Sequence, residues 1–245
     1  MRGYSVLAAG AMAVLLSGQA VCQEIIVGGF PSSMPYSLTV RDEGQPDRVT
    51  GGIIKDIADE LSRRTGLSFR FVFLPRKRME AEIASGGLDI IAMGNPAWVR
   101  DPETLLWSAA VFEERMFFLT LRSFGLAIDG PACLSGLTIG MRDGYVFPEL
   151  DGVSGYLRDD AVTMARNIAR LQAGWIDAVY GSELDALYQA KEAGIQYTVH
   201  PWSPASSEYH WAVSRRLGET AELIVRTLDA MIKDGTIEKI LAAYR

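Results

Sequence analysis

The chain has 245 residues, of which 49% are hydrophobic, and its formal net charge at pH 7 is −6. This length allows one large domain or two small lobes, and the lack of a basic excess argues against nucleic acid as a partner. Beyond the first residues, no apolar run reaches the ~20 residues that a transmembrane helix requires. The composition is that of an ordinary globular protein.

The N-terminus has the pattern of a targeting segment. Arg2 supplies a positive start, an apolar stretch runs from Val6 to Leu16, and small residues follow it as far as Ala20. This pattern predicts a signal peptide over residues 1–22 and export to the periplasm. A short membrane anchor is the alternative, but the stretch is shorter than the ~20 apolar residues that a span requires.

The chain contains two cysteines, Cys22 and Cys133, and an exported protein meets an oxidising compartment. Cleavage after Ala20 would keep both cysteines and make a disulfide conceivable, whereas cleavage after Cys22 would leave Cys133 alone. We expect no structural disulfide, and no cysteine or histidine spacing indicates a metal or redox site. We therefore predict no metal and no cofactor.

The first half of the mature chain alternates strand and helix patterns. From Ile53 to Leu61 the apolar residues recur at helical spacing, which predicts an amphipathic helix that ends at Gly66. Alternation over Phe69–Leu74 predicts a strand. The other elements predicted before residue 100 are a strand over Glu24–Gly29, a polar hairpin or loop tip over Asp42–Thr50, a helix from the basic turn Pro75–Arg78 to Gly86-Gly87, and a strand over Leu88–Met93.

The second half continues the same alternation. We predict that Asp159-Asp160 caps one helix and that Ser182 caps the next. The predicted strands are Met116–Leu121, Leu137–Met141, Ile176–Tyr180, Gln196–Val199 and Tyr209–Ser214, and the predicted helices are Val162–Ala173, the segment from Ser182 to Ala193, Glu219–Asp234 and Thr236–Tyr244.

The order of these elements predicts an open α/β sheet, in which ligands bind beyond the carboxyl ends of the strands. Two segments satisfy that rule, the turn Pro75–Arg78 and the loop Gly94–Arg100, and both carry cationic side chains. The turn also opens a helix, and a helix N-terminus beside cations favours an anion. An ordinary solvated charge run is the alternative interpretation of the turn. The pattern therefore indicates an anionic ligand.

Short motifs occur along the whole mature chain in a characteristic order. In sequence they are Ile25-Ile26-Val27-Gly28, Pro35-Tyr36, Gly52-Ile53-Ile54-Lys55-Asp56-Ile57, Gly87-Leu88-Asp89-Ile90-Ile91, Trp107-Ser108, Gly174-Trp175-Ile176-Asp177-Ala178 and Asp234-Gly235-Thr236-Ile237. Their order and spacing resemble those of the type II periplasmic solute-binding proteins, in the family of the polar amino-acid binding proteins of ABC transporters.

The resemblance implies a two-lobed, periplasmic-binding-protein-like type II fold with a ligand cleft between lobes that two crossover segments join. Residues 23–113 plus 207–245 would form one lobe and residues 114–206 the other. It also implies a monomer that captures a small polar ligand, anionic or amino-acid-like, performs no catalysis, and delivers the ligand to a membrane permease of an ABC transporter.

The resemblance also places the ligand contacts. Arg100 matches the arginine that grips a ligand carboxylate in that family, which suits its planar, bidentate guanidinium; pairing with a neighbouring acid is the alternative. Ser182, with Glu183 beside it, stands where an aspartate for the ligand ammonium is expected, and a serine cannot neutralise an ammonium. A ligand other than a standard α-amino acid is therefore an open alternative. The predicted ligand-binding residues are Arg100, Arg76, Tyr36, Gly94, Asn95, Trp98, Tyr145, Ser182 and Glu183.

Two other functions fit the same fold. One is a periplasmic ligand sensor that acts through a separate membrane partner. The other is a dehydratase-like enzyme with Glu183 as its acid, for which burial would raise the pKa of the carboxyl. Neither His200 nor His210 is predicted to lie beside a nucleophile, and no catalytic set is visible in the sequence, so we predict a binding protein.

Overall fold

The computed structural model describes residues 24–29, 34–40, 48–74 and 76–245, with the backbone alone for residues 76 and 77. The predicted signal peptide, Cys22 and most of the predicted polar loop tip after Asp42 lie outside the described residues. No helix in the described ranges is both long and apolar enough to cross a membrane.

Twelve strands and six helices make up the described fold. The strands are β1 Glu24–Gly29, β2 Leu38–Val40, β3 Arg48–Gly51, β4 Ser68–Phe73, β5 Ile90–Gly94, β6 Leu105–Trp107, β7 Phe112–Leu121, β8 Thr138–Arg142, β9 Leu157–Ala161, β10 Ala178–Ser182, β11 Tyr197–Val199 and β12 Ala205–Ser214. The helices are α1 Ile53–Thr65, α2 Arg76–Ser85, α3 Met164–Gln172, α4 Glu183–Glu192, α5 Glu219–Lys233 and α6 Thr236–Ala242. Most lie within a few residues of the predicted elements.

A single sheet of 10 strands runs in the order β4-β1-β5-β12-β7-β10-β8-β9, with β6 on β12 and β11 on β7. β12 serves both halves, because residues 205–209 pair with β7 and residues 210–214 pair with β5 and β6. We call the part built on β1, β4, β5, β6, α1, α2, α5 and α6 the first lobe, and the part built on β8–β11, α3 and α4 the second lobe. β7 and β12 connect them, which gives the predicted two-lobed α/β fold. The residue boundaries predicted for the two lobes stay a prediction.

The main apolar cluster of the first lobe lies between the sheet and helices α1, α5 and α6, and a smaller one lies under α2. Ile53, Ile57 and Leu61 of α1 are at most 1% exposed in the main cluster, beside Ile224 and Leu228 of α5. Burying one such side chain contributes roughly 1.5–3 kcal/mol. These are the residues whose helical spacing the sequence displays, so burial of that face explains why α1 forms.

The start of α1 fixes the segment that carries Tyr36. The backbone amides of Ile53 and Ile54 donate hydrogen bonds to the carbonyls of Pro35 and Tyr36, each at 3.0 Å. Gly52 allows this close approach, because it has a φ of +100° and a Cβ there would lie 2.6 Å from the Tyr36 carbonyl oxygen. The helix terminus therefore holds Tyr36 at the edge of the first lobe.

The second lobe has apolar clusters on both faces of its sheet. One contains Phe117, Ile168 of α3 and Ala186 of α4, and the other contains Phe118, Ile139 and Tyr180. Because β10 and β7 are covered on both sides, their consecutive residues are buried, and the sequence shows an apolar run there instead of alternation.

The start of α3 differs from the prediction. Asp159 and Asp160 lie in β9, which pairs in parallel with β8, and the helix begins only at Met164. Thr163 is the cap, since its side chain accepts a hydrogen bond from the amide of Arg166 at 3.2 Å. The two aspartates instead form ion pairs with arginines in the same lobe. A short, charged edge strand has no apolar periodicity, and the sequence pattern therefore missed it.

Candidate functional site

Three side chains from different parts of the fold meet between the lobes. Tyr36 comes from the first lobe, Glu114 from the connecting strand β7, and Ser182 from the end of β10 in the second lobe. The Tyr36 Oη and the Ser182 Oγ are 2.7 Å apart, and both hydroxyls hydrogen-bond to the same Glu114 oxygen, Oε1. We call these three residues the interlobe cluster.

Local structure explains why these side chains point at one another. β7 alternates buried and exposed residues at its start, which turns Glu114 inward with Phe112 while Glu113 and Arg115 face solvent. Ser182 is the N-cap of α4, and its Oγ accepts a hydrogen bond from the amide of Asp185 at 3.3 Å. The sequence therefore predicted the capping role of Ser182 but not its contact with β7.

Burial controls the electrostatics of the interlobe cluster. Glu114 is only 5% exposed, and this burial raises the pKa of its carboxyl above the ordinary value, although hydrogen bonds from Ser182, Tyr36 and Tyr209 act in the opposite direction. Burial, followed by the charge of Glu114, likewise raises the pKa of the Tyr36 phenol well above its usual value. The cluster therefore disfavours negative charge.

A second buried carboxyl lies on the first turn of α4. Asp185 is 5% exposed, and burial raises its pKa to about 6, against the opposing effect of Arg142. The Arg142 Nη1 lies 3.8 Å from the Asp185 Oδ2, and the Arg142 guanidinium lies 5.0 Å from the centre of the Tyr145 ring. This end of the second lobe thus places a carboxyl group and a guanidinium group side by side.

Glu183 is engaged at the surface instead. Its two oxygens accept hydrogen bonds from the Arg115 Nε and Nη2, at 3.0 and 2.7 Å. The side chain of Arg115 is 53% exposed and that of Glu183 is 28% exposed. The predicted enzyme acid is therefore one half of a solvent-facing bidentate ion pair, while the buried carboxyls nearby belong to Glu114 and Asp185.

Asn95, in the loop after β5, forms hydrogen bonds both within the loop and to strand β12. Asn95 Oδ1 accepts a hydrogen bond from the amide of Ala97 at 2.9 Å, and its Nδ2 donates to the carbonyl of Glu208 at 2.9 Å. Gly94 is buried beneath Trp107, whose ring atom would lie 3.1 Å from an added Cβ. Both predicted residues thus have structural contacts that account for them.

Trp98 connects this loop to the interlobe cluster. Its ring meets Tyr209 edge-on with centroids 5.4 Å apart, and Tyr209 stacks on Phe112 at 5.1 Å. Tyr209 also hydrogen-bonds to Glu114. Trp98, one of the predicted ligand-binding residues, is therefore linked to the cluster through Tyr209, which the sequence did not single out.

Arg100 lies beside α2 in the first lobe, away from the interlobe cluster. It is exposed, and its backbone amide approaches the Glu80 Oε2 of α2 at 3.4 Å. Its neighbours Val99 and Asp101 line a cavity of about 300 Å³ between α2 and the segment Arg215–Leu217. Among the described contacts, none joins the Arg100 guanidinium to the interlobe cluster.

Of the side chains in the basic turn Pro75–Arg78, only that of Arg78 is among the described residues. Arg78 pairs with Glu82 one turn further along α2, with the Arg78 Nη2 3.1 Å from the Glu82 Oε1. The side chain of Arg76 lies outside the described residues. Within the described residues, no group of three or more histidine, cysteine, aspartate or glutamate side chains could hold a metal ion.

Searches against models of protein families and against curated proteins found no match. Solved structures match over nearly the whole chain. An ancestral cationic amino-acid solute-binding protein is 18% identical, with a TM-score of 0.73, over 90% of this chain and 95% of that one. An amino-acid ABC transporter substrate-binding protein, AbpA from Streptococcus pneumoniae bound to L-arginine, is 14% identical, with a TM-score of 0.65 and coverages of 90% and 94%.

The chain has the two-lobed, periplasmic-binding-protein-like fold. A further structure with this fold is the VFT2 domain of BvgS from Bordetella pertussis, 19% identical, with a TM-score of 0.64, over 91% of this chain and 93% of that one. At these identities the comparisons establish the fold alone. The predicted fold class is confirmed, whereas the predicted ligand contacts stay predictions.

The sequence missed four residues of this region: Glu114, Asp185, Arg142 and Tyr209. For Glu114 a signal existed, because alternation from Phe112 through Glu114 and Met116 places a carboxyl on the apolar face of the strand. A charged residue on a buried face is a functional-site signal. The others depend on which residues face one another across the lobes, and local patterns do not contain that information.

Proposed function

We propose that this chain is a non-enzymatic solute-binding protein that captures a small polar, amino-acid-like molecule between its lobes. The observation that carries the proposal is the interlobe cluster, since polar side chains from both lobes and a connecting strand converge at a buried position. Clefts between lobes are common binding sites, and lobe closure brings such groups onto a ligand.

Charged groups of both signs on the two lobes support a zwitterionic ligand. Arg142 and Asp185 lie 3.8 Å apart at one end of the second lobe, and Arg100 is an exposed cation on the first lobe. In this proposal Arg100 binds the ligand carboxylate and Asp185 faces its ammonium. L-Arginine is a reasonable first candidate, because it is the ligand named for AbpA, which shares the fold.

The proposal includes a site of action and a partner. With the predicted signal peptide over residues 1–22, the mature protein would act in the periplasm and deliver its ligand to the permease of an ABC transporter. No observation favours the dehydratase alternative, since Glu183 is paired with Arg115. The sensor alternative shares the same ligand-binding step and differs only in the membrane partner.

A thermal-shift screen of the purified protein tests the binding proposal. The panel contains L-arginine, L-lysine, L-glutamate, L-glutamine, small dicarboxylates and prephenate-like acids. A ligand at a hundred times its Kd should add about 2.7 kcal/mol of stability, and we expect this from at least one amino acid. A shift with acids that lack an ammonium group, and with no amino acid, would contradict the zwitterion assignment. No shift with any member would contradict the function.

A further inference from the structure

The geometry of the interlobe cluster indicates that the Glu114 carboxyl carries a proton. Its three oxygens, Tyr36 Oη, Ser182 Oγ and Glu114 Oε1, form a triangle in which every pair is within hydrogen-bond distance. A hydrogen bond requires one proton between each pair of oxygens. The triangle therefore needs three protons to satisfy its three edges.

The two hydroxyls supply only two of these protons, because serine and tyrosine each carry one O–H. If the Glu114 carboxyl were ionised, one edge would bring two oxygens together with no hydrogen between them. A neutral carboxyl supplies the third proton, and the three groups can then donate in a ring. The arrangement is satisfied only when Glu114 is protonated.

The charges that face Glu114 agree with this assignment. The adjacent turn of α4 carries two acids, Glu183 and Asp185, and β12 contributes the hydroxyl of Tyr209. The nearby cation on the same strand, Arg115, is paired with Glu183 on the solvent face. Arg142 is directed at Asp185 instead.

One more pair of charged groups borders this region. Glu113 and Arg245 line the small opening beside Glu114, together with Leu184 and Leu187. Glu113 points away from Glu114, as expected of consecutive strand residues. Among the described hydrogen bonds and ion pairs, none joins a cationic side chain to the Glu114 carboxyl, so a proton is the available means of neutralising it.

The same cluster spans the two lobes. Tyr36 belongs to the first lobe and Ser182 to the second, and further contacts join α4 to the first lobe. The Gln189 Nε2 donates to the carbonyl of Met34 at 3.1 Å, and the Lys191 Nζ donates to the carbonyl of Arg245 at 3.0 Å. Separation of the lobes would break these contacts and expose Glu114 to water.

We propose that Glu114 is a proton-linked latch: its carboxyl takes up a proton from solvent when Tyr36 and Ser182 close over it, and returns that proton to solvent when the lobes separate. This inference rests on the proposed binding function, because it requires lobes that open and close. The latch makes lobe closure, and with it ligand retention, more favourable at acidic pH than at alkaline pH.

The direction of this pH dependence follows from the linkage between lobe closure and proton binding. In the separated lobes Glu114 would have an ordinary glutamate pKa near 4.5, and burial in the closed arrangement raises the pKa. Between these two values, closing consumes one proton, so the closed-to-open ratio falls by up to about tenfold for each unit of increasing pH. Below the ordinary value the ratio no longer depends on Glu114.

Fluorescence energy transfer between the lobes tests the latch without a ligand. Dyes are attached at Ala169→Cys on α3 and Ala230→Cys on α5, both exposed, in a chain whose own two cysteines are replaced by serine. Transfer is measured from pH 4 to pH 9 in this background, in Glu114→Gln and in Glu113→Gln. Glu113 is the matched control, because it is the neighbouring acid on the solvent side of β7.

We expect transfer in the background and in Glu113→Gln to decrease as pH rises, with a midpoint above 4.5. Glu114→Gln keeps a neutral group with both a donor and an acceptor, so its pH dependence should be much weaker and its lobes should stay closed at alkaline pH. Any remaining dependence would belong to Asp185, which titrates with the same sign, and Asp185→Asn measures it.

Two results would overturn the latch. One is a transfer signal that does not change with pH in the background protein. The other is a Glu114→Gln protein that is folded by circular dichroism and retains the full pH dependence of the background. Tyr36→Phe removes two edges of the triangle and leaves one that the Ser182 hydroxyl alone can satisfy, so the midpoint should shift toward 4.5. This variant keeps the proposal testable if Glu114→Gln fails to fold. The two proposals can fail separately. If transfer depends on pH through Glu114 while no amino acid of the panel gives a thermal shift, the latch stands and the binding function fails.

Discussion

The interlobe cluster and the loop after β5 satisfy their polar groups in different ways. The cluster joins residues that are 68 to 146 positions apart in sequence, and its carboxyl is buried. The loop forms its Asn95 hydrogen bonds, to Ala97 within the loop and to Glu208 of β12, at exposed positions, and it leaves Arg100 exposed as well. Substitutions in the buried cluster should therefore change the free energy of unfolding. Arg100 is exposed and available for a ligand, so its substitution should change mainly ligand affinity.

The sharpest test of this contrast is Arg100→Ala. If its guanidinium pairs the ligand carboxylate in a closed cleft, the substitution should weaken amino-acid binding by roughly 2–5 kcal/mol. Its effect on unfolding should stay within about 0.5 kcal/mol, because an exposed side chain is being removed. Binding is measured by equilibrium dialysis and stability by urea unfolding. Unchanged affinity would show that Arg100 is only a surface residue of the rim.

Tyr36→Phe should show the opposite combination. It removes one hydroxyl from the buried Glu114 carboxyl, and a buried polar group that loses a partner costs about 1–3 kcal/mol. We expect that loss in urea unfolding at neutral pH. Tyr145→Phe is the matched control, since Tyr145 is 51% exposed and loss of its hydroxyl should change stability by less than about 0.5 kcal/mol. Equal effects of the two substitutions would contradict the special position of Tyr36.

The smallest effect is expected at the ion pair of Arg115 and Glu183. Exposed pairs contribute about 0–1 kcal/mol, so Arg115→Ala should lower the free energy of unfolding by no more than that, and added salt should reduce the difference. The measurement is urea unfolding of both proteins at low and high salt. A loss of several kcal/mol would mean that Glu183 is a buried acid after all and would reopen the enzyme alternative.

The elements themselves were largely predictable, because their signals are local. Helical spacing from Ile53 to Leu61 and a left-handed Gly66 define α1, and the Ser182 cap defines α4. β9 was missed since its burial is slight and its residues are mostly charged, so neither alternation nor an apolar run indicates it. Its pairing with β8 supplies the hydrogen bonds that its side chains do not predict.

The candidate site was less predictable, because it depends on tertiary contacts. Ser182 could be recognised as a helix cap, but nothing near it in sequence indicates that its hydroxyl meets Tyr36 and Glu114. Asp185 looks like any acid in the first turn of a helix until the structure buries it beside Arg142. The pattern of cations in the basic turn favoured an anionic ligand, whereas the described interlobe region presents acids as well.

The central claim is that the lobes capture an amino-acid-like solute, and equilibrium dialysis of the purified protein against radiolabelled amino acids of the panel tests it most directly. We predict saturable binding of at least one amino acid with one site per chain, weakened by Arg100→Ala and little affected by Glu113→Gln. The absence of saturable binding by every amino acid at millimolar concentration would contradict the account.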